Sequence, residues 1–394
     1  PHYGHIMVSY VKDVVARFQT MSGKKVERRL GWDCHGLPAE MSAEKQLGVS
    51  GRKQIEEFGV EKFNNFCRQD VLKYSNIWVD MFKRIGRWVD FSHDYKTMDL
   101  PFMESVIHNF KDLYDKGLIY EDFRVLPYSW AAETPLSNFE VNQGYQDKTD
   151  TAITVLFKLE NGMKILVWTT TPWTLPSNTA LAVGPAIEYV KVKCRNPYTE
   201  EPQTVILAKD LVASYFTKKM EGTYQITGES WMGPELEGIR YEQLIPWVKP
   251  MGDAFRVIIG DYVTTSDGTG IVHIAPTFGA DDDRVARIAG IAPLFMVDKA
   301  GKNQPMVDKQ GRFFRLEDLD PAFVEQNVDV EKYKEYAGRY VKNAYDERLS
   351  ETDPTLDIDI AVMLKAENKA FKIEKHTHSY PHCWRTDKPV LYYP

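Results

Sequence analysis

Two histidines and a glycine stand at the start of the sequence, in His2-Tyr3-Gly4-His5. From residue 5 to residue 20 apolar side chains recur at steps of three and four, which predicts an amphipathic helix that begins at this motif. The amino end of a helix attracts anions, and a glycine lets a ligand approach the backbone. The two imidazoles could therefore grip nucleotide phosphates, although so short a motif also arises by chance as two ordinary surface histidines.

A second polar cluster follows in Gly31-Trp32-Asp33-Cys34-His35-Gly36-Leu37-Pro38-Ala39-Glu40. It combines turn glycines, a proline, a carboxylate and an imidazole, which is more polar detail than a packing strand needs. Asp33 is the candidate for binding a charged group of a ligand. The alternative is a turn carboxylate that caps nearby backbone amides.

Hydroxyl-bearing residues are concentrated in WTTTPWTLPSN, residues 168–178. The pattern predicts a strand that runs into a proline-bounded loop and presents hydroxyls and an amide, without the base partner that a nucleophile needs. Such a surface suits a ribose and a water molecule. Because threonine is also common in strands, a plain β-strand would explain this cluster if it stood alone. A strand, a turn and an acidic cluster follow in residues 268–283, GTGIVHIAPTFGADDD.

The first two motifs together resemble class I aminoacyl-tRNA synthetases, and the GWDCHGLP form resembles their isoleucyl members. The resemblance implies a partial nucleotide-binding (Rossmann-like) α/β domain that forms isoleucyl-adenylate from isoleucine and ATP with Mg²⁺. It implies that His2 and His5 bind ATP and act as catalytic residues, because they stabilise the charge that develops on the triphosphate. Gly4 would make room for the adenine, and Asp33 would bind the ammonium group of the amino acid.

The later motifs, TTTPWTLPSN and GTGIVHIAP with GADD, resemble the inserted, β-barrel-rich editing domain of isoleucyl enzymes. The resemblance implies that Asp282 binds the ammonium of a wrongly attached valine, while His273 bounds the side-chain pocket. The terminal ribose and a water would be positioned by Thr169, Thr170, Thr171, Thr174 and Asn178. No Ser-His-Asp or Cys-His arrangement is evident around these residues, so hydrolysis is expected to rely on positioned water.

The need for such a second site follows from the size of the substrates. A pocket shaped for isoleucine cannot strongly reject valine, because one missing methylene is worth only about 1–3 kcal/mol, a magnitude for which isoleucyl enzymes are themselves the standard example. A second pocket that admits valine and excludes isoleucine would complete the discrimination.

The chain is expected to divide into a first half of the catalytic domain (1–123), a connector (124–148), the inserted editing domain (149–375) and a return connector (376–394). The first part should be mainly helical, with helices over residues 61–85 and 101–116, the latter closed by Gly117. The inserted editing domain should begin with a hairpin, 151–159 and 164–171, around Asn161-Gly162. Further strands are predicted at residues 189–194, 203–207, 255–259 and 270–274.

Composition limits the remaining possibilities. The 394 residues are 43% hydrophobic and 27% charged, as in globular proteins. A net charge of −7 argues against a protein that grips nucleic acid over its whole surface. No apolar run reaches the roughly 20 residues that a membrane span requires, and the cysteines show no paired spacing. We expect a cytoplasmic monomer without a membrane partner, which would act on isoleucine, valine and the tRNA for isoleucine.

Two family features are altered or absent in this sequence. Where relatives carry a zinc knuckle of paired Cys-x-x-Cys motifs, this sequence reads Ser129-Trp130-Ala131-Ala132 and Cys383-Trp384-Arg385-Thr386. One thiolate remains of the four ligands that zinc needs, so no metal site is predicted, and the nearby His376, His378 and His382 are interpreted as connector residues. The Lys-Met-Ser-Lys-Ser loop does not occur. We therefore expect an amino-terminal part of a longer enzyme that retains at most the editing step.

Three alternatives remain at this point. A valyl or leucyl specificity is the nearest. A class I nucleotidylyltransferase-like protein would share the His-x-Gly-His motif but has no reason to carry a threonine-rich hydrolytic domain. A non-catalytic RNA-binding module would show salt-dependent binding of tRNA, and the acidic net charge argues against it.

Overall fold

A computed structural model describes residues 2–217, 222–346, 348–350 and 353–394. The chain divides into two compact units, Pro1–Asp122 and Phe123–Pro394, which we call the first and second unit. None of the helices in the described ranges is long and apolar enough to cross a membrane.

The first unit is mainly helical, as predicted. Its two short strands, β1 and β2, pair in parallel, with Gly31 opposite Tyr95 and Trp32 opposite Lys96. The ring of Tyr95 lies so close to Gly31 that a Cβ there would come within 2.4 Å of it, so a larger residue would displace this ring. The helices and strands are α1 Tyr3–Met21, β1 Arg29–Trp32, α2 Leu37–Leu47, α3 Gly51–Phe58, α4 Val60–Leu72, α5 Ser75–Arg84, β2 Asp90–Lys96 and α6 Leu100–Asp115.

The helix predicted over residues 61–85 is wrong in one respect, because the structure has two helices there. Helix α4 ends at Leu72 and α5 begins at Ser75. The hydroxyl of Ser75 donates to the carbonyl of Leu72 at 2.9 Å, a local bond that competes with the helical ladder. Apolar spacing continues across the break, so periodicity alone could not reveal it. Helix α6 is as predicted, and Gly117 after it has a left-handed φ of +68°.

The second unit is built on a six-stranded sheet with the order β10-β8-β9-β6-β5-β15. Smaller sheets have the orders β11-β7-β12, β13-β14 and β16-β3-β4. The strands are β3 Leu126–Ser129, β4 Thr134–Pro135, β5 Tyr145–Lys158, β6 Lys164–Thr169, β7 Ala180–Val183, β8 Glu188–Arg195, β9 Pro202–Ala208, β10 Gln225–Met232, β11 Arg256–Ile259, β12 Ile271–Ile274, β13 Met296–Val297, β14 Asn303–Gln304, β15 Ala370–Pro381 and β16 Leu391–Tyr393.

Short helices cover the sheets of the second unit. They are α7 Asn138–Asn142, α8 Val212–Tyr215, α9 Gly233–Leu236, α10 Ala280–Ala289, α11 Pro321–Asn327, α12 Val330–Tyr333 and α13 Leu356–Ala366. The strand-rich α/β character is as predicted. The large sheet has free edges at β10 and β15, however, so within the described residues it does not close into the expected barrel.

The predicted hairpin is present, with β5 and β6 antiparallel and Gly162 in the turn at φ +83°. Both strands are largely buried, and their side chains join a core that includes the fully buried Ile153, Phe157 and Leu181. All four further predicted strands are found, as β8, β9, β11 and β12. The burial of both faces of β6 and β7 explains why these strands read as apolar runs.

Strand β5 begins six residues earlier than predicted, at Tyr145, and pairs with β15 from Tyr145 to Val155. This two-stranded ribbon runs from Tyr145 opposite Pro381 to Val155 opposite Ala370, with Thr149 opposite Thr377 between them. The predicted boundaries 148/149 and 375/376 both fall inside it, and they stay a prediction. Just before the ribbon, a Cβ on Gly144 would lie 1.9 Å from the carbonyl oxygen of His382, so only glycine permits this crossing.

Candidate functional site

A row of threonine hydroxyls begins where β6 ends. The oxygens of Thr169 and Thr171 lie 3.3 Å apart, and those of Thr171 and Thr174 lie 3.4 Å apart. The predicted loop is a buried 3-10 helix, Pro172–Ser177. Its first turn is anchored by Asp357, whose carboxylate accepts from the backbone N–H of Trp173 at 2.8 Å. The row is therefore held in place from both the strand and a distant carboxylate.

The row continues to His273 on β12. The Nε2 atom of His273 lies 3.0 Å from the hydroxyl oxygen of Thr174. Because that hydroxyl donates its proton to the carbonyl of Thr171 at 2.8 Å, the Nε2 atom is assigned as the donor. The Nδ1 atom then carries a lone pair and has no hydrogen-bond partner among the residues that the structure describes.

Burial controls the charge of this imidazole. Desolvation lowers the pKa of His273 to about 4, so the ring is neutral near pH 7. The sequence indicated no hydroxyl–imidazole pair at the threonine cluster, because Thr174 and His273 are separated by 99 residues. The contact offers a neutral, rigid wall rather than a charged proton donor.

Asp282 lies in the first turn of α10, which begins after Gly279. One carboxylate oxygen accepts from the backbone N–H of Ala275 at 2.9 Å, and the other accepts from the hydroxyl of Tyr262 at 3.3 Å. Ala275 directly follows β12, so the carboxylate is attached two residues beyond His273. Burial raises the pKa of Asp282 to about 7. Binding of a cation is therefore favoured, because a cation stabilises the ionised form of the carboxylate.

The two remaining predicted editing residues differ from each other. Thr170 is half-buried, and the hydroxyl contacts of the row join its neighbours Thr169 and Thr171 to Thr174. Asn178 is buried: its amide donates to the carbonyl of Ala180 at 2.8 Å and its oxygen accepts from the hydroxyl of Tyr241 at 2.7 Å. The expected presentation of this amide to a ribose is therefore not what the structure shows, because the surrounding strands occupy it.

A cavity of about 860 Å³ is lined by Asp357 and by residues of the ribbon of β5 and β15. Asp150 lines it and contacts Lys342 at 3.3 Å and His378 at 3.0 Å. Burial would raise the pKa of Asp150, but the hydrogen bond from His378 and the charge of Lys342 outweigh it and lower the pKa to about 2. No sequence motif indicated this ionic cluster, since its members lie far apart along the chain.

In the first unit, His5 and Asp33 line one cavity of about 360 Å³, together with Trp32 and Trp78. The His5 ring meets Trp78 edge-on at 4.6 Å. The carboxylate of Asp33 accepts from the backbone N–H of His35 at 3.3 Å, the local turn bond that was the alternative interpretation. The structure thus brings two of the predicted activation residues to one concave surface.

His2 caps the helix that carries His5. The Nδ1 atom of His2 accepts from the backbone N–H of Gly4 at 3.1 Å. The backbone N–H of His2 donates to Nδ1 of His5, also at 3.1 Å. The two rings lie 3.7 Å apart. Burial, followed by the charge of His2, lowers the pKa of His5. A Cβ on Gly4 would come within 3.0 Å of the His2 ring, which explains the glycine between the histidines.

The residues at the knuckle position do not fit a closed zinc site. Cys383 is the single thiol and is buried in a small apolar cluster with Leu136, Val141 and Val390. Ser129 accepts from the backbone N–H of Ala132 at 3.2 Å. In the described part of the chain there is no group of three or more His, Cys, Asp or Glu side chains that could hold a metal ion.

The three histidines near Cys383 have other partners. His378 contacts Asp150, and Nδ1 of His382 lies 2.9 Å from the carbonyl oxygen of Tyr380. His376 meets the ring of Trp168 edge-on at 5.0 Å. His376 and His378 lie on β15, and His382 follows its end; their interpretation as connector residues stays a prediction.

Comparison with solved structures gives a weak likeness to editing domains. The structure described as GlLeuRS-CP1 matches with a TM-score of 0.37 and 15% identity, over 57% of this chain and 99% of that one. The P. knowlesi cytosolic leucyl-tRNA synthetase editing domain matches with a TM-score of 0.29 and 14% identity, over 38% of this chain and 67% of that one. Similarity at this level supports no conclusion about function.

Comparison of sequences is more informative. Isoleucine--tRNA ligases are 50% identical in Bacteroides fragilis, 51% in Porphyromonas gingivalis and 45% in Cytophaga hutchinsonii, in each case over 100% of this chain. The chain spans 36% of the length of the first of these relatives and 37% of the other two. The sequence model of the tRNA synthetases class I (I, L, M and V) matches residues 1–352. This match decides against the nucleotidylyltransferase and RNA-binding alternatives, and the chain belongs to the class I tRNA synthetases.

Proposed function

We propose that this chain is part of an isoleucine–tRNA ligase and that its two units serve opposite reactions. The first unit contributes to the formation of isoleucyl-adenylate from isoleucine and ATP. The second unit hydrolyses valine that has been attached to the tRNA for isoleucine. The isoleucine specificity is supported by the identity of about 50% to isoleucine--tRNA ligases along the whole chain.

In the activation reaction, His2, Gly4 and His5 bind ATP, which enters with Mg²⁺, and Asp33 binds the ammonium of isoleucine. The shared cavity of His5 and Asp33 supports these roles, because adenylate formation joins the α-phosphate to the carboxylate of the amino acid. A helix amino terminus beside the phosphates adds favourable electrostatics.

In the editing reaction, Asp282 binds the ammonium of the valyl group, and the hydroxyls of Thr169, Thr170, Thr171 and Thr174 hold the terminal ribose and a water. The observation that carries this proposal is the unbroken row from Thr169 to His273, which ends two residues from the attachment of Asp282. Asn178 orients the backbone that precedes β7 and does not touch the substrate.

The chemistry is hydrolysis of an ester. The oxygen of the water forms a bond to the carbonyl carbon, the bond from that carbon to the ribose oxygen breaks, and the ribose oxygen receives a proton. Neutral His273 is no acid near pH 7, so it acts as the wall that limits the size of the side chain. Positioning of the water supplies the rate enhancement.

The test is hydrolysis of preformed valyl-tRNA and isoleucyl-tRNA, both on the isoleucine acceptor, by the full-length protein. Selective loss of valine is expected, and Asp282→Ala should reduce it by about 100-fold because the ammonium of the valyl group loses its carboxylate partner. Asp283→Ala is the matched control, since that carboxylate pairs with Arg287 at 2.9 Å. Full deacylation by Asp282→Ala would contradict the proposal.

Amino-acid specificity needs a separate measurement. Exchange of pyrophosphate into ATP is expected to depend most strongly on isoleucine, with valine weaker and leucine weaker still. Preference for valine or leucine would assign the chain to another member of the family.

A further inference from the structure

The carboxylate of Asp282 lies in a cradle formed by three different segments. The backbone N–H of Ala275 holds one oxygen at 2.9 Å and the hydroxyl of Tyr262 holds the other at 3.3 Å. Below the carboxylate, a Cβ on Gly279 would come within 2.7 Å of its carbon. The space left by the glycine therefore admits the carboxylate, and two donors fix its orientation.

The three contacts of the Asp282 carboxylate, with Ala275, Gly279 and Tyr262, differ in chemical type. The N–H of Ala275 is part of the backbone, so its position follows from β12, and Gly279 contributes only space. Among the residues that the structure describes, the hydroxyl of Tyr262 is the side-chain donor that reaches the carboxylate, across 20 residues of sequence. A charge-assisted hydrogen bond of this type both orients a carboxylate and favours its ionised form.

We propose that Tyr262 is a positioning residue of the editing site, whose hydroxyl holds the carboxylate of Asp282 beside His273 so that it meets the ammonium of the aminoacyl group. This inference rests on the proposed editing function and adds a residue to it. Tyr262 acts through Asp282 and does not touch the substrate.

The charged side chains near Asp282 either repel its carboxylate or are paired with other groups, so they do not orient it as Tyr262 does. Asp281 raises the pKa of Asp282 by repulsion. Arg284 is engaged by Asp261 at 2.7 Å and by Asp281 at 3.2 Å. Asp283 pairs with Arg287, and His273 on β12 is neutral near pH 7.

Loss of the Tyr262 hydroxyl therefore removes an interaction that lowers the pKa of Asp282. Because the carboxylate must be ionised to bind an ammonium, the substrate would then bind productively only at higher pH. A tyrosine that served packing alone would not move this pH dependence.

The experiment compares the full-length protein with its Tyr262→Phe variant in the deacylation of valyl-tRNA. We expect KM to rise about fivefold with a smaller change in kcat, and the acidic limb of the kcat/KM profile to move upward by about half a pH unit. Activation of isoleucine should be unchanged. Tyr224→Phe is the control, because Tyr224 packs on Phe216 elsewhere in the second unit.

A second variant tests the cradle without altering the tyrosine. Gly279→Ala places a methyl group where the carboxylate lies, so we expect it to raise KM more than Tyr262→Phe does. The inference is overturned if Tyr262→Phe leaves KM and the pH profile unchanged while Asp282→Ala abolishes hydrolysis, or if Tyr224→Phe shifts them equally. Failure of the unaltered protein to hydrolyse valyl-tRNA would instead refute the proposed function.

Discussion

The two units differ in how completely they bury their apolar side chains. In the first unit, α1 exposes Val11, Val14 and Phe18 by 62%, 61% and 64%, and α6 exposes Ile107 by 68%. In the second unit, the strands of the large sheet contribute side chains that are fully buried. Apolar side chains exposed along a helix at this level are typical of a surface that another protein segment covers.

The difference extends to the candidate sites. The proposed activation residues line a cavity beside helices with exposed apolar faces, whereas the proposed editing residues are held by strands, a 3-10 helix and a buried carboxylate. Side chains whose supports are buried are held in a fixed geometry. We therefore expect the proposed editing site to keep its geometry within the second unit.

Separating the units should show the largest effect. Residues 123–394 expressed alone are expected to unfold in a single cooperative transition, because their core is complete. Residues 2–122 alone should bind a hydrophobic dye and melt without a sharp transition, since α1 and α6 expose apolar faces. Calorimetry of both pieces is the measurement. A sharp transition for the first unit alone would refute the comparison.

Separating the functions should show the next largest effect. His5→Ala in the full-length protein is expected to reduce isoleucine-dependent exchange of pyrophosphate into ATP by about 100-fold, because one donor to a charged transition state is lost. Deacylation of valyl-tRNA should stay unchanged. Lys12→Ala, on an exposed position of the same helix, is the control. Loss of both activities in His5→Ala would show that the units do not act independently.

A matched pair of isoleucines measures the difference in burial. Ile258→Ala, at a fully buried position of β11, should lower the free energy of unfolding by about 3 kcal/mol, because the lost burial and the cavity add. Ile107→Ala, at a position exposed by 68%, should change it by less than about 0.5 kcal/mol. Urea denaturation of the chain followed by fluorescence gives both values. Equal losses would mean that Ile107 is covered in solution.

The pH dependence of stability should show the smallest effect. The folded state raises the pKa of Asp282 to about 7, so between its ordinary value and pH 7 the folded state binds more protons and Asp282 increasingly destabilises it. The advantage of Asp282→Asn in Tm should therefore grow between pH 5 and pH 8, by roughly 5 °C. Asp283→Asn should show no such trend. Parallel curves for Asp282→Asn and the unaltered chain would contradict the burial of this carboxylate.

Local patterns predicted much of the fold. The amphipathic spacing of α1, the Asn161-Gly162 turn and the glycine after α6 each depend on a few neighbouring residues, and the structure has all three. The break between α4 and α5 was not predictable from spacing, because apolar residues recur on both sides of it; the hydroxyl of Ser75 donates to the carbonyl of Leu72 at the break.

The candidate sites were predictable as residue types but not as contacts. The sequence indicated the threonines, His273 and Asp282, whereas the support of Trp173 by Asp357 spans 184 residues and follows no motif. Asn178 shows the converse: the same motif marks a polar side chain that folding directs into the core. Only the arrangement of distant strands distinguishes a group that faces a ligand from one that faces the protein.

The ribbon of β5 and β15 has a consequence for how this protein can change. Tyr145 and Pro381 lie on opposite strands of one pair, so the chain enters and leaves the long intervening segment about 5 Å apart. The strands before and after that segment are antiparallel neighbours, as the two strands of a hairpin are. Joining the strands at Val155 and Ala370 through a two-residue turn would remove the segment that carries the proposed editing site in one step, and the reverse step would insert it. The segment can in this sense be gained or lost as one piece while the flanking chain keeps its path.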